Sequence, residues 1–401
     1  MVKKISACRI CKNTNLVCVL DLGEQALTGV FPRSRDEKIT SGPLRLVKCH
    51  GGLDVCGLLQ LEHSYDLAEM YGDNYGYRSG LNSSMVWHLQ DKVRKILSEI
   101  KLDTGDLVVD IGSNDGTTLK SYPDDLTLVG FDPTGAKFLN YYPSYIHLIS
   151  EIFSPSFLVK KAKVVTCFSM FYDLEDPLSF MADIHQVLAD DGIWVVEQSY
   201  LPSMLETNSY DTVCHEHLEF YALKQIKFMA DRVGFVIRGI EFNDINGGSI
   251  SVTMSKTGPE SPEVQKVLDK ERELGLDTIW PYLEFMADAA ESSRRLVKFI
   301  KTVRSQGATV MALGASTKGN VLLQYCGLTD DDISCIGEVN SDKFGRLTPG
   351  TQIPIVPESE VLAAKPDYLI VLPWHFKKFF LENPKYKGQN LVFPLPKLEV
   401  V

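Results

Sequence analysis

The chain reads as an α/β protein of two to three domains. Three observations carry that reading: a cluster of four cysteines at the front, a strand–turn–helix alternation in the middle, and the restart of that alternation in the last hundred residues. At roughly 150 residues per domain, 401 residues suit this count. A hydrophobic content of 44% and a charged content of 23% are ordinary for a globular chain and exclude a disordered or fibrous one.

The first unit is expected over residues 1–68. Cys8-Arg9-Ile10-Cys11 is a CxxC knuckle, and Cys49 and Cys56 follow after 37 intervening residues. Zinc takes four tetrahedral thiolate or imidazole ligands, and a CxxC turn presents two sulfurs to one ion. The spacing of the second pair is wide, so His50 is an alternative to Cys49 as the fourth ligand. A unit this small hardly holds a core without a staple. No base stands beside an open coordination position, so the zinc reads as structural. Cys18 reads as a packing residue.

The second unit is expected over residues 69–256. Leu107–Gly112 is a short buried strand that runs into Ser113-Asn114-Asp115-Gly116, a glycine-containing turn expected to open a helix. Asp132 ends the next apolar stretch, twenty residues after Gly112, where an acidic residue suits ribose hydroxyls. The dinucleotide fingerprint GxGxxG is absent, and Asp110 precedes the turn. That carboxylate repels a pyrophosphate and attracts an ammonium group. S-adenosylmethionine carries an ammonium, a sulfonium and a ribose but no phosphate, so it fits better than NAD. Further strands are expected at 163–169 and 192–197, with a helix at 181–188. The tyrosine- and glycine-rich stretch 71–80 reads as a surface or lid loop, with a packed interdomain linker as the alternative.

Cys214-His215-Glu216-His217 places two of the eight histidines beside a glutamate. A histidine in such company serves as a general base near neutrality. The zinc-protease pattern has a different spacing. Asn246-Gly247-Gly248-Ser249 reads as a tight turn before a strand. Residues 257–300 have helical periodicity and read as a helical linker. The third unit, 301–401, restarts the alternation with a strand at 309–314 and the turn Ala315-Ser316-Thr317-Lys318-Gly319-Asn320. Lys318 at a strand-to-helix turn is a candidate phosphate contact.

Lysine plus arginine number 41 against 52 aspartates and glutamates, a net charge of −11. That balance disfavours nucleic acid and anionic membrane surfaces as partners. No apolar run approaches the roughly 18 residues of a membrane span, and the N-terminus shows no signal-peptide h-region. A cytoplasmic protein is expected.

These motifs in this order resemble the nucleotide-sugar C-methyltransferases of deoxysugar biosynthesis. The resemblance rests on Cys8, Cys11, Cys49 and Cys56; Asp110–Gly116; His215-Glu216-His217; Asn246–Ser249; Gly314–Asn320; and Thr348-Pro349-Gly350-Thr351. It implies a zinc-binding N-terminal domain, a class I methyltransferase (Rossmann-like) central domain that holds S-adenosylmethionine and releases S-adenosylhomocysteine, and a C-terminal Rossmann-like domain for the substrate nucleotide. The implied acceptor is a nucleotide-linked 4-keto-deoxyhexose, methylated next to its ketone through an enolate.

By position His217 would be the base. Glu216 would orient it or hold a sugar hydroxyl, and His215 would support the loop. Lys318 would meet the phosphates, with Tyr75, Tyr77 and Asn246 along the acceptor. Antibiotic-pathway members have a tyrosine where this chain has Cys214. They have an asparagine and a histidine where it has Ser169, counted here with the donor-binding residues, and Asp173, counted with the substrate-binding ones. These departures leave a different acceptor open, or a non-catalytic donor-binding module. A monomer or weak dimer is expected.

Overall fold

The computed structural model describes residues 2–52, 54–71 and 77–401. The front of the chain is a four-stranded antiparallel sheet. Strands β1 (Leu16–Ala26), β2 (Ser41–Cys49) and β3 (Leu59–Leu61) follow one another, and the far edge is completed by Glu219–Phe220 from much later in the chain. The register of β1 against β2 slips between Cys18 and Leu20. That slip inverts the alternation of inward and outward side chains, so Cys18 is exposed rather than packed.

After helix α1 (Ser83–Glu99) comes a seven-stranded sheet. Its strands are β4 (Leu107–Ile111), β5 (Thr127–Phe131), β6 (Ile146–Ile149), β7 (Ala162–Phe168), β8 (Leu188–Ser199), β9 (Val236–Asn243) and β10 (Ser249–Ser255). Their spatial order is β9-β10-β8-β7-β4-β5-β6. All pairings from β8 to β6 are parallel, and β10 enters antiparallel between β8 and β9. This is the class I methyltransferase arrangement. Every residue of β4 is buried, as expected of a central strand covered on both faces. Helices α2 (Pro177–Val187) and α3 (Leu223–Val233) pack together, and α3 stops at Gly234, whose φ of +94° suits a residue without Cβ.

The helix expected after the donor turn does not form. Residues 113–118 make successive turns, and only Leu119–Ser121 closes a 3₁₀ turn. Pro123 removes a donor and drives Tyr122 to extended backbone (ψ 156°), so too few residues remain to meet the cost of helix nucleation.

The expected helical linker is two helices, α4 (Glu263–Glu273) and α5 (Trp280–Ser305). The last unit is a six-stranded sheet. After β11 (Val310–Leu313), helix α6 (Thr317–Cys326) is capped by Ser316, whose Oγ accepts from the Gly319 amide at 3.1 Å. Strands β12 (Ile336–Glu338), β13 (Ile355–Pro357), β14 (Tyr368–Val371), β15 (Leu391–Phe393) and β16 (Glu399–Val400) follow. The order β13-β12-β11-β14-β15-β16 is parallel except for the last pair, a Rossmann-like sheet. Among the described residues no helix is long and apolar enough to cross a membrane.

Candidate active site

The four expected cysteines converge. The sulfurs of Cys8, Cys11, Cys49 and Cys56 all lie within 4.8 Å of one another, and none is in a disulfide. Cys8 and Cys56 are 3.4 Å apart, and Cys11 and Cys49 3.5 Å. A tetrahedral zinc with about 2.3 Å bonds spaces its sulfurs by roughly 3.8 Å, so the set fits one ion with little adjustment. The cluster takes Cys49 and not His50. Asn13 Nδ2 donates to the Cys49 sulfur at 3.3 Å, an outer contact that orients a ligand.

The glycine turn expected to hold the donor sits at the ends of β4 and β5. Gly112 (φ +75°) and Gly116 (φ +73°) both have left-handed backbone, and a Cβ on Gly116 would lie 3.0 Å from the Tyr142 ring. Asp110 is buried beneath the turn and accepts from Thr166 Oγ1 at 2.5 Å; burial pushes its carboxyl up to about 7. Asp132 accepts from the Asn114 amide at 2.8 Å and from Thr134 N and Oγ1 at 2.7 and 2.6 Å. Asp115 accepts from Thr117 Oγ1, and Ser113 Oγ meets the Tyr142 hydroxyl at 2.9 Å. Three acidic side chains around one glycine turn disfavour a pyrophosphate and suit a cationic donor, whose charge would favour the ionised form of Asp110.

Residues 77–80 of the tyrosine- and glycine-rich stretch lie on this turn. Ser79 N donates to Asn114 Oδ1 at 2.9 Å, Gly80 N donates to Asp115 Oδ2 at 3.0 Å, and Asn114 Nδ2 donates to the Tyr77 carbonyl at 3.2 Å. The Tyr77 side chain is exposed. Tyr75 lies outside the described residues.

Ser169 directly follows β7 with a φ of +55° and accepts from Asn246 Nδ2 at 3.3 Å. Four residues on, Asp173 accepts from the Tyr71 hydroxyl at 2.9 Å, and burial holds its carboxyl well above the usual range. The turn expected at Asn246 is present, with Asn246 at φ +57°. Its carbonyl accepts from Lys318 Nζ at 3.0 Å. Lys318 thus enters from the C-terminal unit, at the start of α6, and meets the turn that contacts Ser169.

The histidine loop lies between these parts. His217 Nδ1 is 2.9 Å from the Thr212 carbonyl, which fixes the proton on Nδ1 and leaves the Nε2 lone pair free to take a proton. Burial, with the Lys318 charge nearby, lowers the His217 pKa to about 4. The ring packs edge-on against Tyr172 at 4.4 Å. His215 faces the N-terminal unit: its Nδ1 is 3.4 Å from Thr28 Oγ1 and its ring stands edge-on to Tyr65. Glu216 also turns that way, accepting from Thr28 Oγ1 at 3.5 Å. A Cβ on Gly29 would lie 2.3 Å from Glu216 Oε1, so only glycine permits that approach. The carbonyl of Thr212, rather than Glu216, orients His217. Cys214 is buried, and burial raises its thiol pKa well above the ordinary value.

Comparison with known proteins accounts for the whole chain. Residues 8–71 match the family model described as "Putative zinc binding domain", 85–239 that described as "Methyltransferase domain", and 244–396 that described as "C-methyltransferase C-terminal domain". The C-methyltransferase NovU of Streptomyces niveus is 28% identical over 419 aligned positions, covering 100% of this chain and 98% of that protein. This chain is an S-adenosylmethionine-dependent C-methyltransferase. Its cofactors are S-adenosylmethionine and a structural zinc.

Similar solved structures include an S-adenosylmethionine-dependent methyltransferase from Clostridium acetobutylicum, with a TM-score of 0.35 and 12% identity, covering 43% of this chain and 92% of that one. The glycopeptide N-methyltransferase MtfA gives a TM-score of 0.34 and 13% identity, covering 42% of this chain and 90% of that one.

Within this C-methyltransferase, sequence reasoning missed Thr212, Thr28, Gly29 and Tyr172, whose parts are visible only once the units meet. For the donor site we expect Asp132→Ala to raise the Kd for S-adenosylmethionine at least tenfold. It removes both the carboxylate expected to meet the ribose and the acceptor that holds the Asn114 amide, and hydrogen bonds to charged groups contribute about 1.5–3 kcal/mol each. Titration calorimetry with the intact protein reads this; an unchanged Kd would remove Asp132 from the donor site.

Proposed function

We propose that the enzyme methylates the carbon beside the ketone of a nucleotide-linked 4-keto-deoxyhexose, with His217 as the base. The observation that carries this reading is the His217 geometry: Nδ1 committed to the Thr212 carbonyl, Nε2 free, and a pKa lowered to about 4 that keeps the ring neutral at pH 7. A carbon next to a ketone becomes nucleophilic only after losing a proton, and a neutral imidazole can take it. Bound S-adenosylmethionine supplies a methyl group on a sulfonium and leaves as S-adenosylhomocysteine. Lys318 brings a positive charge into the same space, suited to a diphosphate or to the charge that develops on the ketone oxygen. Asn246 and Asp173 flank the acceptor side, and Tyr77 stands at its rim. The enzyme would work in the cytoplasm as a monomer or weak dimer.

A second reading, a carbon acid other than a 4-keto-hexose, is favoured by the acceptor wall. Cys214 is a poorer hydrogen-bond donor than a tyrosine hydroxyl, and burial holds the Asp173 carboxyl well above the usual carboxylate range. A mass-resolved assay separates the two. The protein is incubated with S-adenosylmethionine and a panel of freshly made dTDP-, CDP- and GDP-4-keto-6-deoxyhexoses. A product heavier by one CH₂ from any of them is the expected result. Silence across the panel, with the donor shown to bind, would reject the keto-hexose and retain the methyltransferase.

A further inference from the structure

Arg9 occupies the first position between two expected zinc ligands, Cys8 and Cys11, yet it is 3% exposed and its side chain reaches to the strand region 61–64. Its Nη1 donates to the Leu61 carbonyl at 2.7 Å and its Nη2 to Ser64 Oγ at 2.9 Å, while its backbone amide donates to Gln60 Oε1 at 3.0 Å. Its Nε lies 3.4 Å from Glu175 Oε2 and 3.8 Å from Glu219 Oε1. Glu219 is 1% exposed, and neither of its carboxylate oxygens has a hydrogen-bond partner among the described residues. Burial pushes the Glu219 carboxyl well above the usual carboxylate range, and Arg9 is the cation beside it that opposes that shift.

Glu219 is two residues beyond His217. It pairs with Gln60 in the edge strand of the zinc unit's sheet, and Phe220 pairs with Leu59. The Leu61 amide donates to the Leu218 carbonyl at 2.8 Å, one residue from the base. On the far side of the same segment, Gln225 Nε2 donates to the carbonyls of Cys56 and Gly57 at 2.9 and 3.2 Å. The segment that directly follows His217, from Leu218 to Gln225, is therefore fastened at both ends to the zinc unit, at the strand Leu59–Leu61 and at the zinc ligand Cys56. Packing and strand pairing alone would be served by an apolar residue at 219. A buried charge pair instead specifies register, because a slip by one residue would leave two charges unmatched.

We propose that Arg9 and Glu219 form a positioning pair that transmits the geometry of the zinc knuckle to His217. The metal site then acts on methyl transfer through the placement of the base as well as through folding. This inference rests on the reading of His217 as the base.

The test compares Arg9→Met, Glu219→Gln and the double variant with the parent, all as full-length, zinc-loaded protein. The singles should keep about one zinc per chain and a donor Kd within twofold of the parent. Amides across 213–220 should exchange with deuterium at least tenfold faster, while those across 107–132 stay unchanged. With an acceptor from the sugar panel, kcat should fall more than tenfold and KM less than threefold. The double variant, which leaves no unmatched charge buried because Glu175 is half-exposed to water, should return exchange across 213–220 to within threefold of the parent.

Parental exchange in Arg9→Met would overturn the proposal. So would faster exchange spread evenly over the chain, or a double variant no better than the singles. Should Arg9→Met fail to fold, Glu219→Gln, which removes only a charge, carries the same comparison. Failure of the base reading is distinguishable: His217→Ala would then turn over normally while the localised exchange change persisted.

Discussion

His217→Ala should lower methyl transfer by about 10²–10⁴-fold, the usual contribution of a positioned general base, and leave the donor Kd unchanged. Steady-state turnover and calorimetry on the same preparation measure both. The pH dependence gives a second readout. His217 acts only when neutral, and burial lowers its pKa to about 4. The acid limb of kcat/KM for the acceptor, at saturating donor, should therefore lie near pH 4, and the ionisation of His217 should contribute no change from pH 6 to 8. An acid limb near 6.5 would belong to an ordinary exposed histidine and would exclude this one.

Stability follows the same sign. His215 and His217 both have folded-state pKa values of about 4, below the roughly 6.5 of an unfolded histidine. Between those values the unfolded chain binds more protons. The contribution of these neutral rings is complete above about pH 6.5 and is lost as pH falls toward 4. Denaturant melts across that window should show the decline.

Removing zinc should have the largest effect on the fold. Cys8 and Cys56 are buried with sulfurs in contact, and four thiolates without a metal repel one another. Structural zinc sites contribute on the order of 10 kcal/mol of binding free energy near neutral pH, more than a unit of this size has to spare. Treatment with a strong chelator, or Cys8→Ser, should unfold the front of the chain. It should abolish turnover as well, because Glu219–Phe220 then loses the strand it pairs with. Zinc content, near-ultraviolet circular dichroism and activity should fall together. Full activity in protein holding far less than one zinc per chain would refute the metal's role.

Much of this was legible in the sequence because it is local. The cysteine spacings, the acidic residues around Gly112–Gly116, and the strand-to-helix turn at Gly314–Asn320 each follow from a few consecutive residues. The errors were local as well. The register slip at Cys18 leaves no mark on the alternation of residue types, and the influence of Pro123 on the preceding segment was outweighed by the likeness of the turn to a helix start. What stayed hidden is long-range. Glu216 looked like the partner of His217 because it adjoins it in sequence. Adjacent residues of an extended loop point in different directions, and the role passed to the Thr212 carbonyl, which residue identity does not reveal. Thr28 and Gly29 carry no signal at all until Glu216 is laid against them from 188 and 187 positions away.

The closure of the first sheet by Glu219–Phe220 has a consequence for how the protein is made. The zinc unit leaves the ribosome first, yet the edge of β3 stays open until some 160 further residues have been synthesised. The nascent front of the chain cannot finish its sheet alone, and an open edge invites pairing with another nascent chain. The same interleaving sets the rule for recombination with relatives. A graft of residues 8–71 should keep its function only when the segment from Leu218 to Gln225 travels with it.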